Sequence, residues 1–196
     1  KALEESGRVR RGYFVAGLGA AQFALPSAVD LVRSLRTAAQ PEKSEILALA
    51  ATDPANVYGS ILPWPQVADD PANADGSSRS LTRSVGASVI LRNGELIAYM
   101  RRNNPNLQVF LPADEPDRSN AARDLAVFLA ANAQETMRQD ESGRHSGLLL
   151  STINGLSIHE HWLARFLLDA GFQPAPMGFN VRRIVPAPSA STQEVQ

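Results

Sequence analysis

The sequence predicts an α+β chain: a helix, hairpin and helix at its start, then a mostly antiparallel sheet with helices packed on one face. Three observations carry that prediction. Two β-prone runs flank a Gly-rich turn in "RVRRGYFVAGLGAAQFALP". "SVGASVILRNGELIAYMRRNNPNLQVFLP" offers three strands separated by two turn signals. Apolar-periodic helical stretches then alternate with short strands, in the order β-β-β-α-β-α-β.

Taken in order, "KALEESG" reads as the last turns of a helix, closed by Gly7 in the left-handed conformation that glycine tolerates. Strands are expected over Val9 to Val15 and Ala21 to Leu25, around Gly17-Leu18-Gly19. Ser27 is the expected cap of the next helix, with Val29, Val32 and Leu35 recurring every three residues. This is the later part of a winged-helix module. An apolar run from Ile46 to Ala51 is ended by "TDPAN", because Pro54 biases Asp53 toward an extended backbone. Asn93-Gly94 marks a two-residue hairpin and Asn103-Asn104-Pro105-Asn106 a second turn. "DRSNAARDLAVFLAANAQETMRQ" is a long helix with Ala122, Leu125, Leu129 and Ala133 on one stripe. "SGLLLSTING" reads as a buried strand. "SIHEHWLARFLLDAGF" reads as a helix capped by Ser157 and Glu160, with both histidines facing solvent, and "GFNVRRIV" as the last strand. The expected organisation is a winged-helix end at 1–36, a connecting strand segment at 37–67, a flexible loop at 68–84, an α+β domain at 85–186 and a disordered tail at 187–196.

Composition excludes several chemistries. The chain has 196 residues, a net charge of −1 and no cysteine, so disulfides, Cys-based zinc sites and thiol catalysis are ruled out. No run of about twenty apolar residues predicts a membrane span. The opening residues lack an initiator Met and a signal-peptide apolar stretch, which predicts a piece of a longer cytoplasmic protein. Neither lysine, Lys1 nor Lys43, follows a glycine, so there is no phosphate-cradling P-loop. His159 and His161, two apart, would point about 200° from each other on a helix, so no metal site is expected there. The other basic residues are all arginine, a bias that genome composition alone produces and that also suits phosphate recognition.

Those arginines cluster at Arg8, Arg10 and Arg11, at Arg101 and Arg102, and at Arg182 and Arg183. Strand alternation places Tyr13 on the face of Arg11, away from Arg8 and Arg10. Two readings stand: a solvated strand edge, or a guanidinium-and-aromatic surface that tracks a nucleic-acid backbone. Trp64 and Trp162 read as core anchors. Asp53 ends an apolar run, where an Asx-turn and an acid of raised pKa are the alternatives.

Four phrases, "GRVRRGYFVAGLGAAQFALPSAVDLVR", "LAATDPANVYGSILPWP", "ASVILRNGELIAYMRR" and "LLDAGFQPAPMGFNVR", together resemble the C-terminal region of the bacterial large helicase-related (Lhr) ATP-dependent helicases. The likeness runs in order over about residues 1 to 184, broken at 68–84. It implies a superfamily 2 DNA translocase acting in DNA repair, with ATP and magnesium held only by a motor upstream and no cofactor in this segment. It also implies DNA, single-stranded or with a single-stranded tail, and the upstream helicase domains as partners, no membrane, and a place in the bacterial cytoplasm. The leading expectation is an accessory DNA-binding segment whose wing carries Arg8, Arg10, Arg11 and Tyr13, with Arg101 and Arg102 as a second contact and Arg182 and Arg183 as further nucleic-acid-binding residues. The family's C-terminal region is similar to tandem winged-helix DNA glycosylases, so uracil excision is the alternative, with Asp53, Gln22 and Asn180 as candidate catalytic residues. A homo-oligomerisation or docking module is the third reading.

Overall fold

The structure, a computed structural model, describes residues 2–37, 44–65, 81–139 and 147–181. These fall into two compact units, Lys1–Glu45 with Val57–Trp64, and Ile46–Asn56 with Pro65–Gln196. The proposed tail at 187–196 and most of the proposed loop at 68–84 lie outside the described residues.

In the first unit, α1 (Ala2–Glu5) ends as the sequence predicts. Gly7 adopts φ 70°, its N–H donates to the Glu4 carbonyl and the Arg8 N–H to that of Leu3. Strands β1 (Arg10–Gly12) and β2 (Gln22–Ala24) form an antiparallel pair, shorter than expected. The reason is Gln22. Its Oε1 accepts the Phe14 and Val15 N–H groups, both at 2.8 Å, and its Nε2 donates to the Val15 carbonyl at 2.9 Å. A side chain thus takes over where the backbone ladder stops. Helix α2 (Pro26–Thr37) begins one residue before the expected cap, Ser27. Proline suits a first helical position because it has no N–H to leave unpaired.

In the second unit, β3 (Ile46–Ala50), β4 (Ala87–Arg92), β5 (Glu95–Arg101), β6 (Asn106–Val109), β8 (Thr152–Ile153) and β9 (Leu156–Ser157) form one sheet in the order β3-β4-β5-β6-β8-β9. Only the β6–β8 pairing is parallel. Asn93 and Gly94 take φ 50° and 85°, the left-handed pair a tight hairpin requires. Strand β3, read from sequence as part of a connecting segment, pairs along its whole length with β4 and is a member of this sheet. A smaller sheet orders β10 (Gln173–Ala175), β11 (Gly178–Asn180) and β7 (Leu149–Leu150). The single strand expected across "LLLSTI" is therefore two strands in two sheets.

Helix α3 (Asp117–Gln139) carries the core. Its buried residues include Ala122, Leu125, Leu129 and Ala133, the stripe expected from the period, and they pack with Ile90, Leu107, Leu150 and Phe179. Helix α4 (Ala164–Asp169) starts well after the predicted Ser157 cap. Ser157 pairs with Thr152 in β9, and its carbonyl accepts the Glu160 and His161 N–H groups in a turn. Ile158 and Leu163, both fully buried, would lie about 140° apart on a helix, whereas Leu163, Phe166 and Leu167 share one face. Burial therefore delays the helix.

Residues 81–84 form a strap that side-chain hydrogen bonds tie to β5 and to the turn after β3. The Tyr99 hydroxyl donates to the Thr82 carbonyl at 3.1 Å, and Arg101 donates to the Tyr99 hydroxyl at 3.0 Å and the Thr82 hydroxyl at 2.7 Å. Arg83 donates to the carbonyls of Thr52 and Asp53 at 3.3 and 3.1 Å, and to that of Asn56.

Candidate nucleic-acid interface

The hairpin of β1 and β2 sets out the predicted wing residues with a defined register. Arg11 stands opposite Phe23 and Arg10 opposite Ala24. Opposed residues of an antiparallel pair share a face, so Arg11 and Phe23 stand on one side and Arg10 on the other. Gly12, on the side of Arg10, leaves the space that the Phe14 ring occupies, since a Cβ there would come within 2.9 Å of its Cζ. On that same side Arg10 reaches Asp30 of α2 at 3.7 Å, and Asp30 also meets Arg33 at 3.6 Å. Both partners of the Arg10 pair remain largely exposed, so the pair contributes little and leaves the guanidinium accessible. Arg8, Arg11 and Tyr13 are exposed, and among the described residues Arg8 and Arg11 have no acidic partner. The hairpin therefore presents three guanidinium groups and a phenol to solvent.

The other predicted contacts fare differently. The Arg101 guanidinium braces the strap and lies 6.0 Å from the Tyr99 ring centroid, which commits several of its donors. Arg102 is exposed, with its backbone N–H donating to the Gly86 carbonyl at 2.7 Å. Arg182 and Arg183 lie outside the described residues.

The candidate catalytic residues are not gathered into one site. Gln22 belongs to the first unit and is fully used in closing the hairpin. Asp53 and Asn180 belong to the second, Asp53 in the turn after β3 and Asn180 at the end of β11. Asp53 makes an Asx-turn, accepting the Ala55 N–H at 2.8 Å, while its carbonyl accepts the Asn56 N–H at 3.0 Å. Asn180 is different: its Oδ1 is buried and has no hydrogen-bond partner among the described residues. Of the two histidines read as solvent-facing, His159 is exposed and meets the edge of Phe179, but His161 is buried. Its Nδ1 accepts the Leu163 N–H at 3.1 Å, which ties down the turn before α4. No group of three or more His, Cys, Asp or Glu side chains suited to a metal ion occurs among the described residues. No helix among them is long and apolar enough to cross a membrane.

A short helix closed by glycine, a two-stranded wing bearing arginines and a following helix define the closing part of a winged-helix domain. Comparison with known proteins agrees. Residues 1–44 match the winged-helix domain of the large helicase-related protein. The chain is 37% identical over 189 residues to the Mycolicibacterium smegmatis protein named "Lhr helicase/ probable uracil glycosylase", covering 92% of this chain and 11% of that protein. It is 32% identical over 181 residues to the Escherichia coli "Lhr helicase/uracil glycosylase", covering 92% of this chain and 10% of that protein. The chain belongs to the large helicase-related family, as the resemblance read from its phrases implied, and it spans about a tenth of the length of these relatives.

Proposed function

We propose that this chain is an accessory DNA-binding segment of an Lhr-type superfamily 2 helicase of the bacterial cytoplasm. It grips DNA, preferentially a single strand or a single-stranded tail, while a motor elsewhere in the longer protein uses ATP and magnesium for translocation in DNA repair. The observation that carries this reading is the exposed wing, on which Arg8, Arg10 and Arg11 stand free of any burying acidic partner. Guanidinium groups projecting from both faces of a short, hydrogen-bonded hairpin can meet phosphates on either side of it, and each contact releases counterions on binding. The chain's net charge of −1 gives no general attraction for a polyanion, so affinity has to come from such a local cluster. The expected result is weak binding that falls steeply with salt. The Arg8/Arg10/Arg11→Ala triple variant is expected to lower oligonucleotide affinity on the order of tenfold or more, and to flatten the log–log salt slope by about two. Unchanged affinity and slope in that variant would remove the reading.

Base excision is a second reading, favoured by one feature of the chain, the buried Asn180 Oδ1 with no partner among the described residues, and by the names of the two relatives. An amide acceptor with no partner is available to orient a water or a substrate group, whereas Gln22 and Asp53 are already engaged. Incubation with uracil-containing single-stranded DNA tests it. Abasic product that disappears in Asn180→Ala is the expected outcome, and no product at all rejects the reading.

A further inference from the structure

The second unit carries a cluster of cations that the wing reading does not use. Along the N-terminal half of α3 and the start of α4, three guanidinium groups lie on two aromatic rings. Arg118 Cζ stands 4.1 Å from the Trp162 ring centroid. Arg165 and Arg123 stand 4.6 and 5.9 Å from that of Phe166. The two rings themselves meet edge to face at 5.9 Å. Trp162 and Phe166 also pack against the core, so the rings are fixed from below. None of the three arginines makes a salt bridge to a described acidic residue, and among the described residues their one guanidinium hydrogen bond runs from Arg123 to the Asn120 side-chain Oδ1 at 3.5 Å. The acid beside them is Glu115. Its carboxylate is turned to Ser119, accepting the hydroxyl at 2.9 Å and the N–H at 3.1 Å. That carboxyl is held below the ordinary carboxylate range, chiefly by the Ser119 hydroxyl and against an opposing desolvation, with the Ser119 N–H, Arg118 and Arg165 adding.

We propose that this α3–α4 ledge is a second, separate binding surface for single-stranded nucleic acid, contacting the backbone through Arg118, Arg123 and Arg165. Arginines stacked on rings have little rotamer freedom left to lose, and their outward N–H edges stay available for phosphate oxygens. The close spacing of the rings sets the charges within reach of successive phosphates of one strand, which repeat about every 3.4 Å along a stacked helix and further apart when stretched. Of the acids close to them in sequence, Glu115 is engaged by Ser119 and Asp124 by Arg92, and none forms an ion pair with the three arginines among the described residues. Nucleic acid is favoured over an acidic protein segment because the chain belongs to a helicase family and opens with a winged-helix domain.

Trp162 is a built-in reporter, and Trp64→Phe makes it the single tryptophan. In that background, with Arg8, Arg10 and Arg11 also changed to alanine, titration of the 196-residue chain with oligo(dT) at low salt is expected to change Trp162 emission. Adding Arg123→Gln and Arg165→Gln is expected to abolish that response and to lower the salt slope by a further amount of about one or more. Lysine at both positions is expected to keep the slope, since it keeps the charge, and thermal unfolding of each variant confirms that the fold is intact. Emission unmoved by oligo(dT) overturns the proposal. So does a response to a poly-glutamate peptide in its place, which would make the ledge a protein-docking surface. Because the wing is disabled throughout, a persisting response with an unaffected parent slope would count against the wing and leave the ledge standing.

Discussion

Gly178→Ala is expected to be the most damaging single methyl in the described chain. A Cβ at Gly178 would stand 2.0 Å from the Leu150 carbonyl oxygen and 2.8 Å from the Ser151 Cα, both backbone atoms that no rotamer change can move. The residue also holds φ 133°, a conformation L side chains rarely adopt. The strain and the overlap add, because relieving either one pulls β11 away from β7. That pairing sets Phe179 opposite Leu150, and both belong to the core under α3. A loss of about 3 kcal/mol or more is expected in urea unfolding, against a total of roughly 5–15 kcal/mol for a typical domain. Gly94→Ala is the matched control. It has φ 85° but nothing within 4 Å of its Cβ, so it is expected to cost only about 1 kcal/mol. Equal losses at the two sites would show that close packing at Gly178 is not what matters.

Asn154→Ala is expected to cost nearly as much, by a different mechanism. Strand β6 pairs with β8 only at Asn106–Thr152 and Leu107–Ile153, so the next polar groups of β6 that face the same way, those of Val109, have no backbone partner there. The Asn154 side chain supplies one. Its Oδ1 accepts the Val109 N–H at 2.8 Å and its Nδ2 donates to the Val109 carbonyl at 3.2 Å, both buried. Alanine would leave two buried groups unmet, at about 1–3 kcal/mol each, and would also sit poorly at φ 50°. Asn154→Gly loses the same bonds but tolerates the backbone. The difference between the two variants should therefore isolate a conformational part of about 1 kcal/mol, measured by thermal or denaturant unfolding.

Periodicity and turn chemistry made much of the second unit legible before any coordinates. The stripe through Leu125 and Leu129 and the hairpin at Asn93-Gly94 are local signals, and local signals survive folding. What the sequence hid depends on contacts distant along the chain. Nothing in "ILALA" says that it will pair with residues some forty positions later, yet β3 lies in register against β4. A Ser-x-x-Glu box looked like a helix start at Ser157, but pairing with Thr152 and the burial of Ile158 outweighed a capping preference worth about 1 kcal/mol.

The candidate site shows the same division. Arg10 and Arg11 were readable because alternation on a strand fixes their faces, whereas Arg8 and Tyr13, expected on or beside the same strand, fall just outside β1. Gln22 was read as a candidate for chemistry because its role, bonding residues seven and eight positions back across the hairpin, leaves no mark in the sequence. Arg83 was passed over for a similar reason: its acceptors are backbone carbonyls of residues 52, 53 and 56. The α3–α4 ledge joins residues from 118 to 166, and no spacing rule links Arg118 and Arg123 of α3 to rings some forty positions later.

The central claim is that DNA lies against the β1–β2 wing, and photo-crosslinking reads that contact without passing through affinity. Tyr13, exposed and next to the strand that carries Arg10 and Arg11, is replaced by a photoreactive phenylalanine analogue and irradiated with a labelled single-stranded oligonucleotide. The account predicts a covalent adduct at position 13 that fades as salt rises and is lost when Arg8, Arg10 and Arg11 become alanine. Efficient crosslinking from a control position at Val85, also exposed, with none from position 13, would contradict it.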